Sequence, residues 1–393
     1  MPNFLTRLFG GRPAVAESKS AQMLMAIREL GAPDWTRRSF PALAQEGFMR
    51  NPVVHRCVRL IAEAATRVPM AALEDGRRLG EHPMLRLVRR PNPHQSGSEL
   101  LESVYAYLQT AGNAYLHAVS DGAGVTGLYA LRPDRMAAVI GRDGYAEAYA
   151  YTSGGRTQTL RQDAQPVASV LHMALFHPLD DHYGLAPLEA AQQSLDLHNA
   201  AARWNKALLD NSARPSGALV YSAGTGNLTP QQFDRLKGEL ETAFQGAANA
   251  GRPMVLEGGL DWKSIGISPR DMDFIEAKHA AAREIALAFG VPPMLLGIPG
   301  DNTYANLAEA NRALWRHTIV PLVRRVTDEL SFWLAPAFGG ATLEAEFEGV
   351  EALAEDQASK WARIGGAGFL SDEEKREMLG VGKDVAGQDR AHG

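Results

Sequence analysis

His172, His177 and His182, with Asp180 and Asp181 among them, supply metal-ligand side-chain types at five-residue steps. Imidazole and carboxylate suit zinc, yet a five-residue step fits neither the 3.6-residue helix nor the two-residue strand, so neither element brings the three rings to one point. The reading is a polar turn between strand and helix, without a metal. Acid pairs are the next chemistry to weigh. Asp271 with Asp273, and Asp372 with Glu373, have the type that holds Mg²⁺ in a nuclease. Both pairs stand at helix starts, where negative charge already complements the dipole. In GAGVTG, Gly122, Gly124 and Gly127 match dinucleotide-binding spacing. The phosphate would need a helix N-terminus next, whereas Leu128 to Leu131 reads as a strand running toward Pro133, so a hairpin turn is expected. Gly382 and Lys383 are followed by Asp384 and lack the upstream glycine of a phosphate loop. There is no nucleophile elbow, and the single cysteine, Cys57, falls on the apolar side of a helix and reads as core. No catalytic residue, cofactor site or metal site is expected.

The elements that would position such groups are legible. Asn51 and Pro52 open a helix whose apolar side is Val54, Cys57, Val58, Ile61, Ala65 and Val68. The box Ser96 to Glu99 opens a second, with Leu101, Val104 and Leu108 on one side. From about Asn113 to Leu171 the runs AYLHAV, LYAL, MAAVI, AYAYT and ASVLHM predict a sheet of several strands. Helix returns from Ala186 to about Asn211 with two apolar faces, one of Leu188, Ala191, Leu195, Ala202 and Leu209, the other of Leu197, Trp204 and Leu208, which predicts two partners. A strand near Ala218 to Tyr221, a helix opened by Thr229, Pro230 and Gln232, and strands at Pro253 to Leu256 and Leu260 to Ile265 form a compact unit. Asp273 with Glu276 opens a helix striped by Ile275, Ala282, Ile285 and Phe289; Gly290 ends it and Pro292 and Pro293 prevent an immediate restart. A loop then lasts until Asn306, the expected start of a helix to about Leu334. Its second half carries the stripe Ile319, Leu322, Val323, Val326, Leu330 and Trp333, with a kink expected at Pro321. An acidic helical segment and a short helix boxed by Ser371 and Glu374 follow. The fold class is mixed α+β.

The bulk numbers fit a folded, multi-part protein, because 393 residues at 45% hydrophobic composition can bury two or three ordinary cores. No apolar run reaches the length of a bilayer span, and MPNFLTRLFGG lacks the apolar core of a secretory leader, so the expectation is a cytoplasmic product without a membrane role. The net charge of −5 excludes gathering on DNA by bulk attraction.

Read together, the segments resemble a family. LTPQQFDRLKGELETAFQGAANAGRPMVLEGGLDWKSIGIS, then DMDFIEAKHAAAREIALAFGVPPMLLG and NLAEANRALWRHTIVPLVRRVTDEL, are similar to the portal proteins of tailed bacteriophages in their compact siphophage form, a type also found in gene transfer agents. NPVVHRCVRLIAEAATRVP, HPMLRLVRRPNP, GNAYLH, YGLAPLEAA and SDEEKREMLGV extend the resemblance from Asn51 to about Val381.

The resemblance implies a ring of about twelve subunits at one capsid vertex of a virion or phage-like particle, assembled in the host cytoplasm. It would conduct double-stranded DNA during packaging and ejection, and would meet the large terminase motor, a head-tail adaptor and the major capsid protein. It divides the chain into an arm (1–34), a wing (35–186 and 306–338), stem helices (187–213 and 273–290), a clip (214–272), a tunnel loop (291–305) and a short crown with tail (339–393). Asn302, Thr303 and Tyr304 are the expected loop contacts with DNA. Lys278 and Arg283 are placed on the polar side of a stem helix, either facing the channel or pairing with Glu276 and Glu284. The alternative reading is a nuclease or ATPase of the packaging apparatus.

Overall fold

A computed structural model describes residues 35–121, 124–210, 217–221, 231, 235, 260–264, 274–299 and 304–379. The chain divides at Thr36, and the body described below belongs to Arg37–Gly393. The expected arm, the helix at Thr229 and the strand at Pro253 fall outside the described residues. In chain order the body contains α1 (Phe40–Leu43), α2 (Pro52–Ala65), β1 (Met70–Glu74), β2 (Arg77–Leu79), α3 (Pro83–Arg89) and α4 (Gly97–Ala111). Six strands follow: β3 (Asn113–Asp121), β4 (Gly124–Leu131), β5 (Met136–Ile140), β6 (Ala146–Ser153), β7 (Arg156–Arg161) and β8 (Val170–Ala174). Next come α5 (Pro187–Ala190), α6 (Gln192–Asp210), β9 (Gly217–Tyr221), β10 (Leu260–Ser264), α7 (Phe274–Ala288), α8 (Tyr304–Leu314), α9 (Val320–Leu334), β11 (Thr342–Ala345), α10 (Ala354–Gly365) and α11 (Asp372–Leu379).

The helix starts follow from local chemistry. Asn51 Oδ1 accepts from the N–H groups of Val53 (3.0 Å) and Val54 (3.1 Å), and Pro52 brings no donor that would need satisfying. Ser96 and Glu99 form the complete reciprocal box on α4, and Ser371 with Glu374 repeats it on α11. All six residues of the α2 stripe are buried, as are all six of the α9 stripe. Cys57 is fully buried among them, and burial pushes its thiol up to about 12, so it stays protonated and inert.

The expected single sheet is two antiparallel three-stranded sheets, β4-β3-β8 and β5-β6-β7. Alternation along β3 explains the division: Ala114, Leu116 and Ala118 enter the main core with α2, α4 and α9, whereas Tyr115 points the other way and joins Met136, Tyr149, Leu160 and Val170 in a smaller cluster. β7, RTQTLR, gave no apolar alternation because four of its six residues line a solvated edge before Leu160. Asp121 pairs with Gly124 across the β3–β4 turn, which makes the glycine string part of a hairpin. A third sheet, β11-β1-β2, was not predicted at all. Asp75 and Gly76 both take positive φ (50° and 73°), the two-residue hairpin turn that joins β1 to β2. β1 then pairs antiparallel with β11, Met70 opposite Ala345.

The polar turn after β8 is built from backbone contacts. His177 Nδ1 accepts from the Leu179 N–H at 3.0 Å, and Asp180 Oδ1 accepts from the N–H groups of His182 (2.8 Å) and Tyr183 (3.0 Å). His172 stands apart on β8, stacked on Tyr115 at 4.2 Å between ring centroids. Asn113 welds the turn to the end of α4: its Nδ2 donates to the carbonyls of Ala111 and Gly184, and its Oδ1 accepts from the Gly184 N–H. That oxygen also receives the His172 Nε2–H at 2.9 Å, which leaves Nδ1 to accept from the Tyr149 hydroxyl. The backbones pass so closely here that a Cβ on Gly184 would lie 2.1 Å from the Gly112 carbonyl oxygen and 2.5 Å from the Leu175 nitrogen.

A second buried junction ties α2 to α6. Asn51 Nδ2 donates to His198 Nδ1 (3.0 Å) and to Asn199 Oδ1 (2.8 Å), while Asn199 donates to the Glu46 carbonyl. Because Asn51 Oδ1 already accepts from α2, the amide orientation is determined and His198 must carry its proton on Nε2. Both imidazoles, His198 buried and His172 half-buried, are neutral, with pKa values lowered from 6.5 to about 4: His172 by desolvation, and His198 by desolvation first and then by the charges of Lys278 and His279.

Two outcomes are expected. Gly184→Ala should lower stability by about 2 kcal/mol or more in urea unfolding, since the clash is with backbone that cannot rotate away. Between pH 6.5 and 4 the unfolded chain binds protons that the folded chain refuses at His172 and His198. Stability is therefore full above about 6.5 and falls as the pH drops toward 4. In His198→Asn the loss between neutral pH and pH 4.5 should shrink, whatever the change does to stability at pH 7.

Candidate functional site

Of the expected DNA contacts, Lys278 and Arg283 are described, and both lie on α7, which pairs with α6. On α7 the buried face is Ala281, Ala282, Ile285, Ala286 and Phe289. Three of the four expected stripe residues are in it. Ile275 is not, being 66% exposed, because burial along α7 begins only at Ala281, more than a turn further on. On α6 the helix is interrupted at Ala191, and the buried face runs through Leu195, His198 and Ala201 rather than the expected Ala202. The restart at Gln192 and the three-residue steps from 195 to 201 turn the buried face away from Ala202. Small side chains on α7 allow close approach, and Ser194 Oγ donates to Glu284 Oε2 at 2.5 Å across the pair. Leu197, Ile275 and Leu287 face outward, with Leu287 78% exposed.

The end of α7 is closed by backbone geometry. Gly290 adopts φ 65°, its N–H bonds the Leu287 carbonyl, and the Val291 N–H reaches back to Ala286. This is the paired closure that a left-handed residue permits, and it leaves the Gly290 carbonyl pointing on. The Thr318 hydroxyl donates to that carbonyl at 2.7 Å. Pro292 then leads into a short 3₁₀ turn, Pro293–Leu296, ended by Gly297 at φ 70°. Val291 and Ile298 are buried, and Leu295 and Leu296 pack on the main core. The first half of the expected irregular loop is thus an anchored turn. Prolines forbid an α-helical restart but not a single tighter turn.

Downstream, the long helix begins at Tyr304, two residues before the predicted cap Asn306, and is α-helical to Leu314. Trp315–Ile319 forms a π-helical segment before α9. Pro321 has no N–H, and its ring crowds the carbonyl four residues back, so the expected kink is realised as a widened turn in which the Val320 N–H bonds Trp315. Thr318 sits in this turn. So does Arg316, whose Nε lies 2.6 Å from Asp356 Oδ2 on α10, a hydrogen bond that holds the Asp356 carboxyl below its usual range.

Arg283 is exposed and donates to the Pro299 carbonyl at 2.9 Å. Its neighbour Glu284 is engaged by Ser194. Lys278 is half-buried, and its charge acts on His198 of α6. Asn302 and Thr303 lie outside the described residues; Tyr304 opens α8, and its side chain is likewise outside them. Thr318 had no sequence signal, since its role depends on a carbonyl 28 residues away. Among the described residues no group of three or more His, Cys, Asp or Glu is placed to hold a metal, and no helix is long and apolar enough to cross a membrane. The arrangement holds and orients backbone.

Comparison with known proteins agrees with this mechanical reading. The phage portal protein family matches residues 52–380. A chain from the neck of an empty gene transfer agent (GTA) particle with C6 symmetry superposes with a TM-score of 0.70 at 53% identity, over 89% of this chain and 95% of that one. A chain from the neck of a native GTA particle with C12 symmetry gives 0.67 at 50% identity, over 91% and 98%. The portal protein of Enterobacteria phage HK97 is 26% identical over 362 residues, 88% of this chain and 83% of its own length. The match takes in the α2–α4–α9 core, the α6–α7 pair and the anchored turn alike, and the chain belongs to the phage portal protein family.

Proposed function

We propose that this chain is one subunit of a twelve-membered ring that passes double-stranded DNA through the portal vertex of a gene transfer agent or related phage-like particle. The observation that carries this reading is its likeness, over nearly the full length of both chains, to subunits in the necks of GTA particles, one of them with twelve-fold symmetry. On this reading α6 and α7 are the stem, residues 214–272 with β9 and β10 the clip, and 291–305 the tunnel loop. Residues 35–186 with α8 and α9 are the wing. Residues 339–393 are the short crown and tail, and their strand β11 hydrogen-bonds to β1.

A conduit must centre the duplex without gripping it, since every phosphate neutralised by a cation adds an attraction to be broken at each advance. A chain with a net charge of −5 suits that need. Uncharged polar groups such as Asn302 and Thr303 contact phosphate weakly and without reading sequence. The clip meets the large terminase motor during filling and a head-tail adaptor afterwards, and the wing meets the major capsid protein. The portal family is structural rather than catalytic, which favours the conduit over a packaging nuclease or ATPase.

Closure into a ring requires surfaces left apolar in the single subunit, and the exposed Leu287 on α7 marks the face to test. Negative-stain images of the purified protein should show pierced rings; solid discs or sheets would refute the proposal. Leu287→Asp should leave the melting temperature of the single subunit unchanged and cut the ring fraction at least ten-fold. Rings at the wild-type level would exclude this face as the seam between subunits.

A further inference from the structure

The stretch between α7 and α8 is held at two backbone carbonyls by side chains that belong to neither it nor each other's element. The Gly290 carbonyl, at its start, receives the Thr318 hydroxyl at 2.7 Å from the π-helical turn. The Pro299 carbonyl receives the Arg283 guanidinium at 2.9 Å from the middle of α7. Between these points Val291 and Ile298 are buried and the 3₁₀ turn Pro293–Leu296 closes on itself. Gly290 is also sterically matched to its partner, since a Cβ there would stand 2.6 Å from Thr318 Oγ1.

We propose that Thr318 and Arg283 are positioning residues that clamp residues 291–299 by both ends, setting where the channel loop leaves the stem, and that Arg283 serves this purpose rather than contacting DNA. The inference rests on the portal reading for its purpose but not for its geometry. Three of the nine residues, Pro292, Pro293 and Pro299, have no N–H, and the internal bonds present, from the N–H groups of Leu295, Gly297 and Ile298 to the carbonyls of Pro292, Met294 and Pro293, define the middle of the segment rather than its two ends. Two external donors at the two ends supply what the segment cannot. The π-helical turn follows from the same need: Pro321 widens the helix where Thr318 must face the end of α7.

Hydrogen exchange on the full-length assembled ring tests this at the amides of Val291, Leu295, Gly297 and Ile298. Thr318→Val keeps the shape and removes the donor; Arg283→Ala removes the other. Each should speed exchange at these amides about five-fold, the effect of one net hydrogen bond, with α2 and α9 unchanged. Thr318→Ser should restore protection, and Arg283→Lys should restore part of it. Unchanged exchange in Arg283→Ala, or equal loss in Thr318→Ser and Thr318→Val, overturns the clamp. If Thr318→Val fails to assemble, the Arg283 pair decides alone. DNA packaging by the same variants reads a separate matter: faster exchange with normal packaging keeps the clamp and sinks the channel role of the segment, whereas unchanged exchange sinks the clamp whatever happens to packaging.

Discussion

A helix that ends inside a protein must give its last carbonyls a donor, and the end of α7 is where that constraint organises this molecule. Gly290 meets it by turning left-handed and closing the last turn on itself, which an L side chain could do only under strain. The Gly290 carbonyl that follows is met by Thr318, from a helix that Pro321 has widened into a π-helical turn. Three features that look separate along the chain, a glycine, a double proline and a helix-internal proline, therefore serve one junction. Around it converge the stem pair, the turn that leaves it, and through Arg316 and Asp356 the C-terminal helices.

The body to which this junction is attached is built for rigidity. α9 is laid against β8, with Trp333 Nε1 donating to the Ala168 carbonyl at 2.9 Å and Arg325 bonding the Ala174 carbonyl. Asn51 and Asn113 each satisfy several backbone groups while reaching a neutral histidine, so the two imidazoles act as uncharged struts between elements. Partnered polar groups keep these junctions firm, because an unsatisfied one would be a point of yielding. The outward apolar residues of α6 and α7, Leu197, Ile275 and Leu287, are the counterpart. Exposed to solvent in the single subunit, they are the residues the proposed ring would cover.

Much of this was legible along the chain. Caps and boxes at Asn51, Ser96 and Ser371, and the stripes of α2 and α9, depend on residues within a turn or two of one another, and such short-range signals survive without knowledge of the fold. The errors lie where a partner was remote. Ile275 has the right spacing for the α7 face, but among the described residues nothing covers its turn. Ala202 lost its place when α6 restarted after Ala191. β7 is an edge strand without an apolar alternation, and β11 is defined by β1, roughly 270 residues earlier, so neither announces itself locally.

Sequence alone determined the kinds of element, where most helices start and stop, the absence of a recognisable catalytic motif, and a family resemblance carried by the joint order of many segments. Only the tertiary structure decided that the strands between Asn113 and Ala174 divide into two sheets, that the C-terminal strand returns to the first hairpin, and that Arg283 and Thr318 hold the turn between α7 and α8. The reason is physical. Helix caps and periodicity are satisfied within a few residues, whereas sheet pairing and the capture of a carbonyl by a distant side chain depend on which surfaces the whole chain brings together.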